Sequence, residues 1–314
     1  MGHEVPKTGL VLLHKQRVAN GIVELTFSRP SRASLPSWDP GAHIDLTMPN
    51  GMTRQYSLCG APNRQSTWTI AVRRDPQGRG GSIYLHDLLE TGQHISAAGP
   101  RNSFVLEPAP EYLFIAGGIG ITPILPMLAA ASARDAAWSL IYSGQSRSSM
   151  AYLDRVEAHA SHVVVHPKDV KGRLNLDAAI GRAGPESVIY CCGPERMLDG
   201  VQRHCREQGR TCRVERFQPP SPNGAVHGFD IQLKQSGLTL AVPPDRSILD
   251  VVENAGVQIL SSCRSGTCGT CEVAVIDGVP DHKDDVLTAD ERRSNATVMT
   301  CVSRSLTPRL VLDL

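Results

Sequence analysis

At 314 residues, with 20% charged and 41% hydrophobic positions, the chain has the composition of a soluble globular protein and is long enough for two or three domains. Its formal net charge of +1 gives no electrostatic basis for binding nucleic acid or an anionic membrane surface. The opening Met1-Gly2-His3-Glu4-Val5-Pro6 fits neither a signal peptide nor a myristoylation sequence, which would place Ser or Thr where Pro6 stands, so the cytoplasm is the expected compartment.

In the first segment, residues 1–108, apolar residues alternate at Val23, Leu25 and Phe27, at Ile44, Leu46 and Met48, and at Trp68, Ile70 and Val72. These read as short half-buried strands, with Pro49-Asn50-Gly51 turning between two of them, and their spacing predicts a small antiparallel barrel. Two clusters sit on it. Arg54-Gln55-Tyr56-Ser57 follows a strand signal, and Gly78-Arg79-Gly80-Gly81-Ser82 opens an apolar run, Ile83 to Leu89, that reads as one short helix. Backbone N–H groups at a helix start, a Ser hydroxyl and glycines that permit close approach suit a phosphate, with Arg54 and Arg79 as charge-assisted donors. Taken alone, an R-x-Y-S tetrapeptide is common, and a Gly-rich pair before a helix is more often just a turn.

In the second segment, residues 109–222, the apolar window Leu113 to Ala131 is interrupted by Gly117, Gly118, Gly120, Pro123 and Pro126. It therefore reads as a buried strand, a turn and a helix, not as a membrane span. Strand signals at 139–142, 163–165 and 188–190 alternate with helical stretches at 150–160 and 195–208, which is βαβ architecture with an open parallel sheet. Gly117-Gly118-Ile119-Gly120-Ile121-Thr122 would bring a pyrophosphate to the helix start, although it departs from G-x-G-x-x-G. By itself Cys192-Gly193-Pro194 is a turn with a buried thiol, and Pro194 the first residue of the next helix. Arg147 stands in the Ser143-Gly144-Gln145-Ser146-Arg147 stretch with no acidic residue at hand.

Pro219, Pro220 and Pro222 mark a semi-rigid connection into the third segment, residues 223–314. There Phe229, Ile231 and Leu233 pair with Leu238, Leu240 and Val242 as a hairpin, a helix runs over 248–255, and a strand over 272–275. Between helix and strand, Cys263, Cys268 and Cys271 are spaced C-x4-C-x2-C on a Gly/Ser/Thr loop, with Cys301 far behind. That is the plant-type pattern for thiolate ligation of a 2Fe-2S cluster: a tight loop supplies three sulfurs and a separate segment closes the cage. A structural zinc site is usually built from two short cysteine pairs, and disulfides need an oxidising compartment. The other five cysteines, Cys59, Cys191, Cys192, Cys205 and Cys212, lack framework spacing and are expected as reduced thiols. The acidic run Asp281-His282-Lys283-Asp284 reads as solvated surface, not as a second metal site.

The R-x-Y-S and G-G-S elements, in that order and separation, resemble the ferredoxin-NADP reductase superfamily. G-G-x-G-x-T-P and C-G-P resemble its nicotinamide motifs, and the cysteine segment resembles plant-type ferredoxins over its whole length. The G-R-G-G-S form, with the flavin module first and the ferredoxin last, looks most like the phthalate dioxygenase reductase family.

That resemblance implies a multidomain protein. It would comprise an antiparallel β-barrel flavin domain (1–108), an α/β open parallel-sheet nicotinamide domain (109–222) and an α+β β-grasp ferredoxin domain (223–314). It implies FMN in place of FAD, held by Arg54, Tyr56, Ser57, Arg79, Gly80, Gly81 and Ser82. It implies NADH, held by Gly117, Gly118, Gly120, Thr122, Cys192, Gly193 and Pro194, with Arg147 leaving NADPH open. Ser57 and Cys192 would shape the hydride site, Phe217 would cover the flavin face, and Cys263, Cys268, Cys271 and Cys301 would hold the cluster. The implied activity is that of an NAD(P)H-dependent oxidoreductase, monomeric, delivering single electrons to a partner Rieske oxygenase that hydroxylates or demethylates aromatic compounds. A diiron monooxygenase or cytochrome as acceptor, and a non-catalytic redox sensor, remain alternatives.

Overall fold

A computed structural model describes residues 7–78, 80–217, 227–261, 264–266 and 268–314. The Pro-rich connection from residue 218 onward therefore lies outside the described residues. The chain divides into two compact units, His3–Glu215 and Arg216–Leu314.

The first unit begins with strands β1 (Lys7–Ala19), β2 (Ile22–Ser28), β3 (His43–Thr47), β4 (Thr53–Ser57), β5 (Trp68–Arg73) and β6 (His94–Arg101). They pair antiparallel in the order β4-β3-β6-β1-β2-β5. A bridge from Leu58 to Ile70, with Cys59 N–H donating to Thr69 O at 2.9 Å, joins the outer strands and closes the expected barrel. Alternation puts Leu10, Leu12, Leu25, Phe27, Ile44, Leu46, Ile70 and Val72 inside. The segment after β5 forms one helical turn, α1 (Gly81–Ile83), that widens into a π-turn over Tyr84–Leu88, close to the expected short helix.

A second sheet follows, built from β7 (Glu111–Gly117), α2 (Ile121–Ala133), β8 (Ala137–Gly144), α3 (Leu153–Glu157), β9 (Val163–Pro167), α4 (Lys168–Lys171), α5 (Leu176–Ile180), β10 (Val188–Cys192), α6 (Glu195–Glu207) and β11 (Cys212–Glu215). Its order is β11-β10-β7-β8-β9, all parallel. From β7 the chain winds first to one side and then to the other, so the topological switch point lies between β7 and β10, where an open α/β sheet binds its ligand. Ile121, Ile124 and Met127 of α2 cover one face; Ile180 of α5 and Leu198 and Val201 of α6 cover the other. The helix expected over 150–160 is reduced to α3. Tyr152 adopts the left-handed region (φ 61°), and its hydroxyl donates to Glu24 Oε2 of the barrel at 2.8 Å and lies 3.4 Å from Cys59 Sγ. Tertiary bonding of one tyrosine overrides the local helical pattern.

The second unit carries β12 (Phe229–Leu233), β13 (Thr239–Val242), α7 (Ile248–Asn254), β14 (Glu272–Asp277), β15 (Pro280–Asp281), α8 (Ala289–Ser294), β16 (Thr297–Met299), β17 (Arg304–Ser305) and β18 (Arg309–Leu312). The five-stranded sheet, ordered β13-β12-β18-β14-β16, is mixed: β18 runs parallel to β12 and antiparallel to β14, and α7 packs Ile248 and Val252 into the core with Phe229, Ile231 and Leu310. This is the α+β arrangement expected of the third segment.

Candidate functional site

The two barrel motifs meet. Arg54 lies in β4 opposite Leu46, and a Cβ added to Gly81 would sit 2.8 Å from Arg54 Cγ and 3.5 Å from its Nε. Only glycine lets the start of α1 lie this close to the arginine stem, while Gly80 turns through φ 94° to lead the chain in. The expected Ser82 hydroxyl is engaged with Asp75, accepting from its N–H at 3.0 Å and donating to its carbonyl at 3.5 Å, so it has no second proton for a phosphate. What suits an anion here is the arginine and the backbone N–H groups at the helix start. Arg79 lies outside the described residues. Tyr56 faces Ile44 across the ladder, its phenol pushed up to about 12 by burial against a smaller opposing effect of Arg54; Ser57 beside it is buried. If Arg54 holds a flavin phosphate, Arg54→Ala should weaken flavin retention by about 1.5–3 kcal/mol, measured as flavin occupancy after dialysis. Equal occupancy in the two proteins would make Arg54 a strand residue without that role.

At the switch point, two glycine turns pack backbone against backbone. A Cβ on Gly120 would fall 2.2 Å from Cys192 O, and one on Gly193 would fall 3.0 Å from Gly117 Cα. The pair joins the end of β7 to the end of β10, while Gly118 (φ 56°) makes the bend and has open space around its Cα. Thr122 is buried, its Oγ1 donating to Ile119 O at 2.9 Å, which locks the turn that precedes α2. Pro194 caps α6 from one residue outside the helix, whereas the sequence suggests it as the first helical residue; its extended ψ of 146° keeps it out. Ser143 Oγ, buried at the end of β8 level with Gly117, has no hydrogen-bond partner among the described residues. A glycine-lined cradle with an unmatched hydroxyl at the carboxyl edge fits a dinucleotide.

Sequence reasoning missed one residue here. Cys192 on β10 is in register with Glu215 on β11; both are buried, and the thiol donates to Glu215 Oε2 at 3.9 Å. Burial, and next the Glu215 carboxylate, push the Cys192 thiol well above its ordinary value, so it is a neutral proton donor, not a thiolate nucleophile. The signal available was an acidic residue closing a strand that neighbours Cys-Gly-Pro. Phe217, two residues on, is 46% exposed.

In the second unit, Cys271 directly precedes β14 and Cys301 follows β16; these strands pair with Glu272 opposite Met299. Thr300 locks the junction, its N–H and Oγ1 both donating to Cys271 O, at 3.2 and 2.9 Å. Both cysteines are buried in one cluster with Leu249 and Met299. Cys268 is less buried, with Sγ 3.2 Å from Thr270 Oγ1. The loop between is shaped by left-handed Arg264, Gly266 and Gly269, and a Cβ on Gly266 would meet Val302 Cγ2 at 2.7 Å. Cys263 lies outside the described residues, among which no three His, Cys, Asp or Glu side chains are gathered to hold a metal ion. Soft sulfur donors on a close-packed glycine loop, with a fourth from a neighbouring strand end, fit an iron–sulfur centre.

The acidic run beside this loop is not solvated surface as the sequence suggests. Asp284 is buried, accepting from the N–H groups of Val286 (3.1 Å) and Leu287 (2.9 Å), and His282 lies half-buried beside it. Backbone donors from the following turn satisfy the carboxylate, so it needs no water. Asp285 forms a partly buried ion pair with Arg216, and its N–H donates to Gly266 O at 2.8 Å.

Residues 231–306 match the model of a 2Fe-2S iron-sulfur cluster binding domain, and residues 114–203 that of an oxidoreductase NAD-binding domain. The chain is 40% identical to the phenoxybenzoate dioxygenase subunit beta of Ectopseudomonas oleovorans over 94% of each chain. The solved structure of phthalate dioxygenase reductase, described as modular for electron transfer from pyridine nucleotides to its 2Fe-2S centre, covers 98% of both chains at 34% identity and a TM-score of 0.75. This chain belongs to the phthalate dioxygenase reductase family. Like its relatives it is an NAD(P)H-dependent oxidoreductase, the reductase component of an oxygenase system, with a 2Fe-2S domain and an NAD-binding domain. An intact type IV self-sufficient cytochrome P450 monooxygenase is also similar, at 38% identity and a TM-score of 0.79 over 98% of this chain and 41% of that one. Among the described residues no helix is long and apolar enough to cross a membrane.

Proposed function

We propose that this member of the phthalate dioxygenase reductase family takes electrons from NADH, carries FMN, and serves a Rieske non-haem iron oxygenase acting on an aromatic substrate. The proposed modules are residues 1–108 for the flavin, 109–222 for the nicotinamide and 223–314 for the cluster. The reading rests on the meeting of the Gly117–Gly120 turn with Cys192-Gly193-Pro194 at the switch point. Bound, a flavin supplies the exchange between a two-electron hydride and single electrons, which a 2Fe-2S centre handles one at a time.

The chain's own residues orient and insulate. Arg54 and the α1 start carry the flavin phosphate, and Tyr56 and Ser57 lie along its ring. Gly117, Gly118, Gly120 and Thr122 receive the pyrophosphate. Cys192 keeps its proton on Sγ, so no second negative charge joins Glu215 beside the nicotinamide. Cys263, Cys268, Cys271 and Cys301 are the proposed cluster ligands. The protein needs no nucleophile of its own; its contribution is position and electrostatics.

An anaerobic NADH titration followed by visible spectrum, with chemical identification of the released flavin, tests the cofactor set. Reconstitution with a Rieske oxygenase and, in parallel, a cytochrome P450 tests the acceptor. The similarity to a self-sufficient P450 favours keeping the second acceptor in view, and turnover with P450 alone would replace the Rieske reading.

A further inference from the structure

In an open α/β sheet the residue that reads the adenosine ribose stands near the carboxyl end of the strand after the glycine turn. An acidic group there accepts from a bare 2'-hydroxyl, and an arginine accommodates a 2'-phosphate. Here that strand is β8, and Arg147 follows it by three residues. The arginine by itself would favour the phosphorylated dinucleotide. It is already occupied: Nη2 lies 2.8 Å from Oε1 and 2.9 Å from Oε2 of Glu157, the last residue of α3. The neighbouring hydroxyls are also turned inward. Ser146 Oγ lies 3.0 Å from Ser148 Oγ and donates to Ser149 Oγ at 3.2 Å, Ser146 N–H donates to Ser149 Oγ at 3.1 Å, and Ser149 Oγ donates to Ser146 O at 2.9 Å. Asn20 N–H holds the Ser148 carbonyl at 2.8 Å, which fixes the turn against the barrel.

We propose that Glu157 is the specificity-determining residue for the nicotinamide dinucleotide: it occupies Arg147 and places a carboxylate where a 2'-phosphate would need to approach, so the protein selects NADH. This rests on the NADH reading above and gives it a cause. An incoming 2'-phosphate must displace the carboxylate from the guanidinium and then lie near that displaced charge, whereas a neutral hydroxyl pays neither penalty. The pair is half exposed, so solvent screening keeps the effect moderate.

The test uses the full-length holoprotein with two probes, adenosine 2',5'-bisphosphate and AMP, titrated calorimetrically into wild type, Glu157→Gln, Arg147→Ala and the double variant. Glu157→Gln should bind the bisphosphate about fivefold to tenfold more tightly, as expected for removing about 1 kcal/mol of competing interaction, with AMP affinity unchanged. Adding Arg147→Ala should erase the gain. In turnover, the NADPH to NADH ratio of kcat/KM should rise by the same factor in Glu157→Gln alone. Unchanged bisphosphate affinity in Glu157→Gln, or a gain that survives loss of Arg147, overturns the proposal. A wild-type protein that itself prefers NADPH overturns the NADH reading instead, so the two failures are distinguishable.

Discussion

Cys301→Ser is expected to lower cluster content by more than about tenfold, because changes to groups merely supporting a metal ligand already cost 10–100-fold and a hard alkoxide is a poor substitute for a soft thiolate. Cys301 follows β16 by two residues, and the adjoining Thr300 is pinned to Cys271 O by its N–H and its hydroxyl, which fixes the fourth sulfur's segment beside the loop. The serine variant should retain NADH-dependent reduction of ferricyanide, a small acceptor that needs no protein docking, and should lose reduction of cytochrome c or the oxygenase. Iron and sulfide analysis with the visible spectrum provides the check. A full iron and sulfide complement in the variant would remove Cys301 from the ligand set.

Gly120→Ala is expected to have the largest effect on stability. The added methyl would lie 2.2 Å from the Cys192 carbonyl oxygen and 2.9 Å from the Gly193 nitrogen, both backbone atoms of a turn wedged against Gly117. Neither turn can retreat as a flexible side chain could, so the cost should reach about 3 kcal/mol, the upper end for overpacking. In a unit of this size that corresponds to a fall of roughly 6–12 °C in Tm, read by calorimetry, together with loss of nicotinamide binding. Gly118→Ala is the control: its Cα faces open space, and the substitution should cost only about 1–2 kcal/mol for the left-handed backbone. Equal Tm for Gly120→Ala and wild type would show that the two turns are not rigidly packed.

The parts most legible in the sequence are those where chemistry restricts residue choice. Glycines at 80, 81, 117, 120 and 193 stand where a Cβ would strain or collide, so they read as motifs before any fold is known. Strands β7 to β10 of the parallel sheet are legible as apolar runs, whereas β11, the edge strand Cys212-Arg213-Val214-Glu215, alternates with charged residues and carries no such signal. Less could be read where the cause is tertiary. Strand β1 runs Leu10-Val11-Leu12-Leu13 with no alternation, only Leu10 and Leu12 buried, before a polar stretch, and β6 relies on Ile95 and Ala97; both are held by their neighbours in the barrel, not by pattern. The helix expected at 150–160 yields to the Tyr152 hydrogen bonds, and Asp284 is buried because its own following turn supplies the N–H donors of Val286 and Leu287. Glu215 went unassigned because its partner, Cys192, is adjacent only across β10 and β11.

The barrel and the parallel sheet are held by one continuous core, in which Ile22, Cys59, Ala71 and Phe104 of the first pack with Phe114, Leu140 and Tyr152 of the second. Phe104 meets the edge of Tyr190 at 5.4 Å, and the Tyr190 hydroxyl donates to Val105 O. The cores of residues 216–314 draw on none of these side chains. A cut near residue 215 would therefore leave that core whole, whereas a cut near residue 108 would split it into two incomplete halves, so the flavin and nicotinamide segments count mechanically as one body.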